Sequence, residues 1–303
     1  MKKRQIANTD LWVSPLALGT MTFGNPVQPD AAAGLVRYAL DQGVNLIDTA
    51  NMYEGYDRVA GSAGGAAESV IGGALRGRRE KAVIATKVGM KVGTAPEDDG
   101  TSAAAVRKHL QASLKRLETD YVDIYYLHRP DAPELLEDTL RELARCLRDK
   151  AIRCYGVSNY SAPQLGGVLN TAKALGVPAP AVCQPRLSLM SPEAASDLIP
   201  LCAANGISVI PYKIYEGGLL TGKYQRNAAP PLDSRGSEMP SWLPPLDQGL
   251  FDQLERINAE AAQQGMTLAR YALNWVLRQP AVVSVIVGAK TRGQLDEAIR
   301  AAE

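Results

Sequence analysis

The segment DTANMY, Asp48 to Tyr53, closes an apolar run, GVNLI, that reads as a buried strand. A carboxylate at the end of such a run is costly unless something answers its charge. Lys87, in IATKV, ends a second run of the same kind, and His128, in YYLHRP, follows a third. A lysine and an aspartate on neighbouring strand ends are each expensive to desolvate alone and become tolerable as a pair. A positive charge beside the Tyr53 phenol favours phenolate and is expected to lower its ordinary pKa of about 10. Together the four suit one task, protonating a carbonyl oxygen as a hydride reaches its carbon. In that task Tyr53 gives the proton, Lys87 and Asp48 tune it, and His128 orients the carbonyl. Such acid–base help is typically worth about 10²–10⁴-fold in rate. Singly, each residue has an ordinary explanation: a turn-forming aspartate, a solvated lysine, a rim histidine, a packed loop tyrosine. Their joint occurrence on three consecutive strand–loop units is what points to chemistry.

The elements that must position these residues follow from hydrophobic period. Short β-branched runs begin at Leu16, Val44, Ala82, Val122, Ile152, Ala181, Ser208 and Val282. Between them apolar residues recur near every 3.6 positions, as in Val106, Leu110, Leu114 and Leu117, or Leu136, Leu140, Leu143 and Leu147. Ser161 with Pro163 opens one helix, and Gly176 and Gly206 lie just past the ends of two others. Eight strand–helix units with no linker-like tract predict one domain over residues 1–303, a single (β/α)8 TIM barrel. All strand C-termini of such a barrel meet at one face, where active sites lie. Ser158 and Asn159, Gln184 and Tyr212 fall at that face too. The opening residues alternate about NTD and predict an N-terminal β-hairpin over the barrel floor. Two connections are long, YEGYDRVAGSAGGAAES after the second run and Gly217 to about Gly249 after the seventh. The second, with PPLDSRGSEMPSWLPP, is expected to lack regular structure, before an extra helix at LFDQLERINAEAAQQG and the helix TLARYALNWVLRQ that leads to the last strand.

Composition narrows the function classes. A net charge of +1 leaves no footprint for nucleic acid or an anionic membrane surface. No stretch approaches the roughly 20 apolar residues of a membrane span, and MKKRQIANTDLW has no apolar core of a secretory signal. Cytoplasm is the default compartment. Cys146, Cys154, Cys183 and Cys202 form no C-x-x-C pair and read as buried reduced thiols, and two histidines make a histidine-rich metal site improbable.

DTANMY, AESVIGGAL, IATKV, LHRPD, KAIRCYGVSNYS, GGLLTGKY and VIVGAKTRGQLDEAI together resemble the aldo-keto reductase superfamily over nearly the full length. The superfamily is a (β/α)8 barrel that binds a nicotinamide cofactor without a Rossmann domain, and no G-x-G-x-x-G follows a strand here. The resemblance places Asp48, Tyr53, Lys87 and His128 on the family's catalytic tetrad. It implies nicotinamide contacts at Ser158, Asn159 and Gln184, a stacking ring at Tyr212, and a further cofactor contact at Thr20. It puts Gly218, Leu219, Thr221 and Lys223 along the pyrophosphate. Lys290 and Arg292, beside Gly288, fall near the adenosine 2′ position, and Gln294 and Glu297 on the adenine side. Two cations there predict NADPH/NADP+, with NADH weaker. QPRLSLM, which lacks the usual aromatic three or four positions beyond the glutamine, and PYKIYEGG depart from the family pattern, the second placing Lys213 and Glu216 at the cofactor rim.

The expected partner is a small-molecule carbonyl substrate, and monomer and homo-oligomer are both compatible with the sequence. The loops that would select the substrate carry Tyr56, Arg58, Tyr215, Arg226 and Trp242, a mixture leaning toward polar or anionic carbonyls. The same branch of the superfamily includes potassium-channel β subunits, so a cofactor-binding regulatory subunit is the alternative. An unrelated barrel enzyme using Lys87 as a Schiff base is a third reading.

Overall fold

Each apolar run forms a strand, and each helical period a helix, in a computed structural model that describes residues 1–59 and 61–302. Ala60, in the first long connection, and Glu303, the end of the predicted domain, lie outside the described residues. The hairpin comes first, β1 (Arg4–Gln5) pairing antiparallel with β2 (Trp12–Val13) around Asn8, which takes a left-handed conformation. Then follow β3 (Leu16–Gly19), α1 (Pro29–Asp41), β4 (Leu46–Asp48), α2 (Ala66–Ala74), β5 (Val83–Val88), α3 (Ala103–Leu117), β6 (Val122–Leu127) and α4 (Leu136–Arg148). The chain continues through β7 (Ile152–Ser158), α5 (Ala162–Leu175), β8 (Val182–Gln184), α6 (Leu198–Ala204) and β9 (Ser208–Val209). After α7 (Arg235–Glu238), α8 (Gln248–Gln263) and α9 (Leu268–Leu277), β10 (Val285–Gly288) and α10 (Arg292–Ala302) complete it.

Eight strands form one parallel sheet in the order β10-β3-β4-β5-β6-β7-β8-β9. The two ends of that sheet meet. Val209 N donates to Ala281 O at 2.8 Å, Val283 N to Val209 O at 3.1 Å and Ile286 N to Pro211 O at 2.9 Å, which closes a (β/α)8 barrel. Caps set the helix limits as expected: the Ser161 hydroxyl accepts from Gln164 N, and Gly176 supplies the left-handed residue past α5.

Strand alternation sorts side chains into two cores. Outward residues such as Ile47, Ile84, Tyr125, Leu127, Tyr155 and Val157 pack under the helices. Inward residues Leu46, Val83, Ala85, Ile124, Tyr126, Cys154, Val182, Ile210 and Ile286 fill the barrel, and Ile6, Leu11 and Val13 of the hairpin join the same cluster. Arg4 Nη1 donates to Val282 O at 2.9 Å and Ala7 N to Ser208 Oγ at 2.8 Å, so the hairpin sits across the strand starts, as a floor.

The connection after β9 is more ordered than its composition predicts. Ser234 caps the short α7, Pro240–Trp242 make one 3₁₀ turn, and Leu219, Leu220 and Tyr224 pack against Leu250, Phe251, Leu254 and Ile257 of α8. Prolines end regular structure, but burial of these apolar residues still fixes the path. Among the described residues no helix is long and apolar enough to cross a membrane.

Packing inside the barrel makes a specific forecast. Gly156 occupies an inward position on β7, where an added Cβ would lie 2.6 Å from the Tyr126 ring and 2.7 Å from Val182 O. Gly156→Ala should destabilise the protein by about 1–3 kcal/mol in urea unfolding. Gly34→Ala, in α1 with nothing within 4 Å of the new methyl, should instead stabilise it by about 0.5–1 kcal/mol.

Candidate active site

The polar residues at the barrel mouth continue the inward register of the strands below them. Leu46 leads to Asp48, Val83 and Ala85 to Lys87, Ile124 and Tyr126 to His128. Cys154 leads through Gly156 to Ser158, Val182 to Gln184, and Ile210 to Tyr212. Period two therefore aims all six side chains into the barrel at its C-terminal rim. Tyr53 arrives from the loop. Its backbone N donates to Ala50 O at 3.1 Å, and its carbonyl accepts from Ala67 N at 3.0 Å, tying the turn to the start of α2.

Lys87 has no solvent exposure. Its Nζ donates to Asp48 Oδ1 at 2.6 Å, to Thr49 O at 2.8 Å and to Tyr53 Oη at 3.4 Å, which uses all three ammonium protons. Asp48 Oδ2 accepts from Gln184 Nε2 at 2.8 Å. The Tyr53 and His128 rings meet edge-on, with centroids 6.1 Å apart. A second chain of hydrogen bonds crosses the mouth. Tyr212 Oη donates to Asn159 Oδ1 at 2.6 Å, Asn159 Nδ2 to His128 O at 2.8 Å, and Ser158 Oγ to Gln184 O at 3.0 Å. Thr20 Oγ1 donates to Asp48 O at 3.0 Å.

Charge and burial compete at each member. Burial pushes the Tyr53 phenol above its ordinary value, and the Lys87 charge, acting downward, does not overcome it. The expected lowering is corrected on this point: the direction of the Lys87 effect was right, but desolvation is larger. Burial alone would lower Lys87, yet Asp48 and Tyr53 outweigh it and hold the amine above its ordinary value. His128 lies well below its ordinary value through burial, then Lys87, Arg58 and Arg129. At neutral pH the site thus holds a protonated phenol, an ammonium and a neutral imidazole whose Nδ1 is buried without a hydrogen-bond partner.

Most of these groups line a cavity of about 1150 Å³, just above the roughly 300–1,000 Å³ of ordinary ligand clefts. Thr20, Asp48, Tyr53, His128, Ser158, Asn159, Gln184 and Tyr212 form its inner end. Gly218, Thr221, Lys223, Gly288, Lys290, Gln294 and Glu297 extend it toward α10. Lys87 lies behind the wall. Leu219 is buried in the small cluster with α8, and Arg292 is exposed, its guanidinium 5.1 Å from the Tyr38 ring, so neither lines the cavity. Of the loop residues, Tyr56, Tyr215 and Trp242 line it. Arg226 instead binds Asp252 and Glu255 of α8 at 2.6 and 2.9 Å, and Arg58 donates to Lys91 O.

Three features were not read from the sequence. Arg235 lines the cavity with its guanidinium 4.7 Å from the Tyr56 ring and 4.8 Å from the Trp242 ring, and its Nη1 is buried without a partner. The stretch DSRGSE offered a capping serine as its only signal. Arg186 and Glu216, two separate departures in sequence, pair with each other at 2.7 Å, and Ser188 Oγ donates to the same carboxylate at 2.8 Å. Lys290 is held by Glu238 at 2.7 Å.

The family model described as "Aldo/keto reductase family" matches residues 15–303. The chain belongs to the aldo/keto reductase family. This reductase-family chain is 33% identical over 313 residues to a protein of Arabidopsis thaliana named "Probable voltage-gated potassium channel subunit beta", covering 100% of this chain and 92% of that one. It is 33% identical over 331 residues to "Protein tas" of Escherichia coli, covering 97% and 91% of the two chains. It is 30% identical over 312 residues to L-glyceraldehyde 3-phosphate reductase of E. coli, covering 99% and 87%. Membership in this family supports an oxidoreductase.

The Asp48–Lys87 pair gives a stability test. Asp48→Asn leaves a buried ammonium without its counter-charge and should cost about 3–5 kcal/mol in urea unfolding at neutral pH. Adding Lys87→Met removes the stranded charge and should recover most of that loss.

Proposed function

We propose that this family member reduces aldehydes or ketones to alcohols, or runs the reverse, with NADP(H), Tyr53 serving as general acid. The whole chain acts as one domain in this reading. The observation that carries it is the buried Asp48–Lys87 pair aimed at the Tyr53 hydroxyl. When bound, the nicotinamide would supply the hydride that reaches the carbonyl carbon.

The chain's own residues then have distinct tasks. Tyr53 keeps its proton at neutral pH because burial raises its pKa, and Lys87 stabilises the phenolate left when the proton moves to the developing alkoxide. Gln184 shares Asp48 with Lys87 and so fixes the carboxylate. His128 is neutral. A buried N–H without a partner is the rarer kind of orphan, so its proton belongs on Nε2 rather than on the unpartnered Nδ1, leaving Nε2 to donate to the substrate oxygen. Tyr212, Ser158 and Asn159 form one wall where the nicotinamide would lie. Lys290 stands at the far end and Lys223 nearer the middle beside Gly218, and these two cations favour NADP(H), with NADH weaker. The size of the cavity and Arg235 Nη1, buried without a partner, fit an anionic dinucleotide. Four free buried thiols fit a cytoplasmic, reducing location.

The substrate is a small carbonyl compound. L-glyceraldehyde 3-phosphate belongs in the panel because one relative's name states it. A Schiff-base role for Lys87 is disfavoured by an amine held protonated and fully hydrogen-bonded. The similarity to a potassium-channel β subunit supports the alternative, a cofactor-binding regulatory subunit with slow residual turnover.

Loss of NADPH absorbance with a panel of aldehydes, ketoaldehydes and sugar phosphates decides between the two. The reductase reading expects turnover in the wild type and a fall of at least about 10²-fold in Tyr53→Phe, with NADPH affinity retained. Retained turnover in Tyr53→Phe refutes the acid role. NADPH binding without turnover on any substrate favours the regulatory subunit.

A further inference from the structure

The adenosine end of the cavity contains an ion pair that neither the barrel nor the proton transfer requires. Lys290 follows β10, and Glu238 is the last residue of α7, on the strap that crosses from β9. Lys290 Nζ donates to Glu238 Oε1 and Oε2 at 2.7 Å each, and also to Asp233 O. An ammonium has three protons, so every one of them is already engaged by the strap. The two side chains are only 18% and 22% exposed, which keeps solvent from screening the pair as it would a surface contact.

The neighbouring cations are placed elsewhere: Arg235, three residues before Glu238 in α7, turns its guanidinium over the Tyr56 and Trp242 rings. Arg292 lies outside the lining with its guanidinium over Tyr38. Lys223 sits against Gly218, where an added Cβ would be 2.8 Å from its Nζ, and so belongs to the middle of the cleft. A 2′-phosphate at Lys290 therefore meets an ammonium that is hydrogen-bond saturated and a carboxylate of its own sign. It binds only by displacing Glu238. A 2′-hydroxyl meets the opposite situation, because each carboxylate oxygen keeps a lone pair for a hydroxyl donor, the role an acidic side chain plays where NAD is recognised.

We propose that Glu238 is a specificity-determining residue that narrows the preference for NADPH over NADH by occupying Lys290. The inference rests on the cofactor reading given above. Glu238 also ties α7 to the segment after β10, and the two roles predict different outcomes. A tether acts on both cofactors alike, whereas a competitor acts on the phosphorylated one.

The test is calorimetric titration of the full-length protein with NADPH and with NADH, comparing wild type, Glu238→Gln and Glu238→Ala. Glu238 closes a four-residue surface helix, so removing its side chain leaves both cores intact, and unchanged thermal melting confirms folding. Both variants should raise the ratio of NADH to NADPH dissociation constants by about tenfold or more, the scale of one hydrogen bond to a charged group. That gain should come from tighter NADPH, with NADH unchanged or weaker. Equal weakening of both cofactors, weaker NADPH, or an unmoved ratio overturns the assignment of Glu238 alone. If neither cofactor binds the wild type, the cofactor reading itself falls.

Discussion

A fully buried ammonium is the constraint around which the mouth of this barrel is organised. Lys87 is in reach of one carboxylate, one carbonyl and one phenol, and each accepts from it. Remove any of them and the low-dielectric surroundings make the loss expensive. The carboxylate is in turn fixed by Gln184, whose own carbonyl accepts from Ser158. A charge that would destabilise the fold alone thus becomes the reason that four strand ends and one loop keep a single arrangement.

The same constraint explains why the polar strand-end residues of the candidate site, Tyr53 of the loop aside, continue the inward register. A barrel interior is filled by alternate side chains, and here that filling is apolar up to Ala85, Tyr126 and Ile210 and polar one step above. The change from packing to chemistry is a change of layer, with no change in strand geometry. Beyond this mouth lies a second level, a strap from Gly217 to α8, anchored by its small apolar cluster and by ion pairs such as Lys290–Glu238. The strand ends hold the candidate acid–base groups, and the strap lines the part of the cavity toward α10.

Much of this was legible from residue order. Asp48, Lys87 and His128 could be placed because strand runs and period-two alternation are local properties, and the eight strands fall where those runs begin. Ser161 and Gly176 announced α5 for the same reason, since a capping hydroxyl and a left-handed glycine act over one turn. What was not legible depends on contacts between distant segments. Arg186 and Glu216 looked like two unrelated departures, and only folding shows one carboxylate accepting from one guanidinium. Arg235 and Glu238 were hidden in a proline-rich stretch whose path is set by apolar burial against α8. The direction of the Tyr53 shift was misread because sequence reveals a neighbouring charge but not how much protein packs around the phenol.

Lys87 acts on a phenol that burial keeps protonated. The most direct test is a pH titration of ¹³C-labelled tyrosine by NMR, with the Tyr53 signal assigned from its absence in Tyr53→Phe. In the wild type Tyr53 should ionise above the ordinary tyrosine value of about 10. Because Lys87 lowers that pKa, Lys87→Met should move the midpoint higher still. A wild-type midpoint at or below the ordinary value, or one that Lys87→Met leaves in place, would contradict the account.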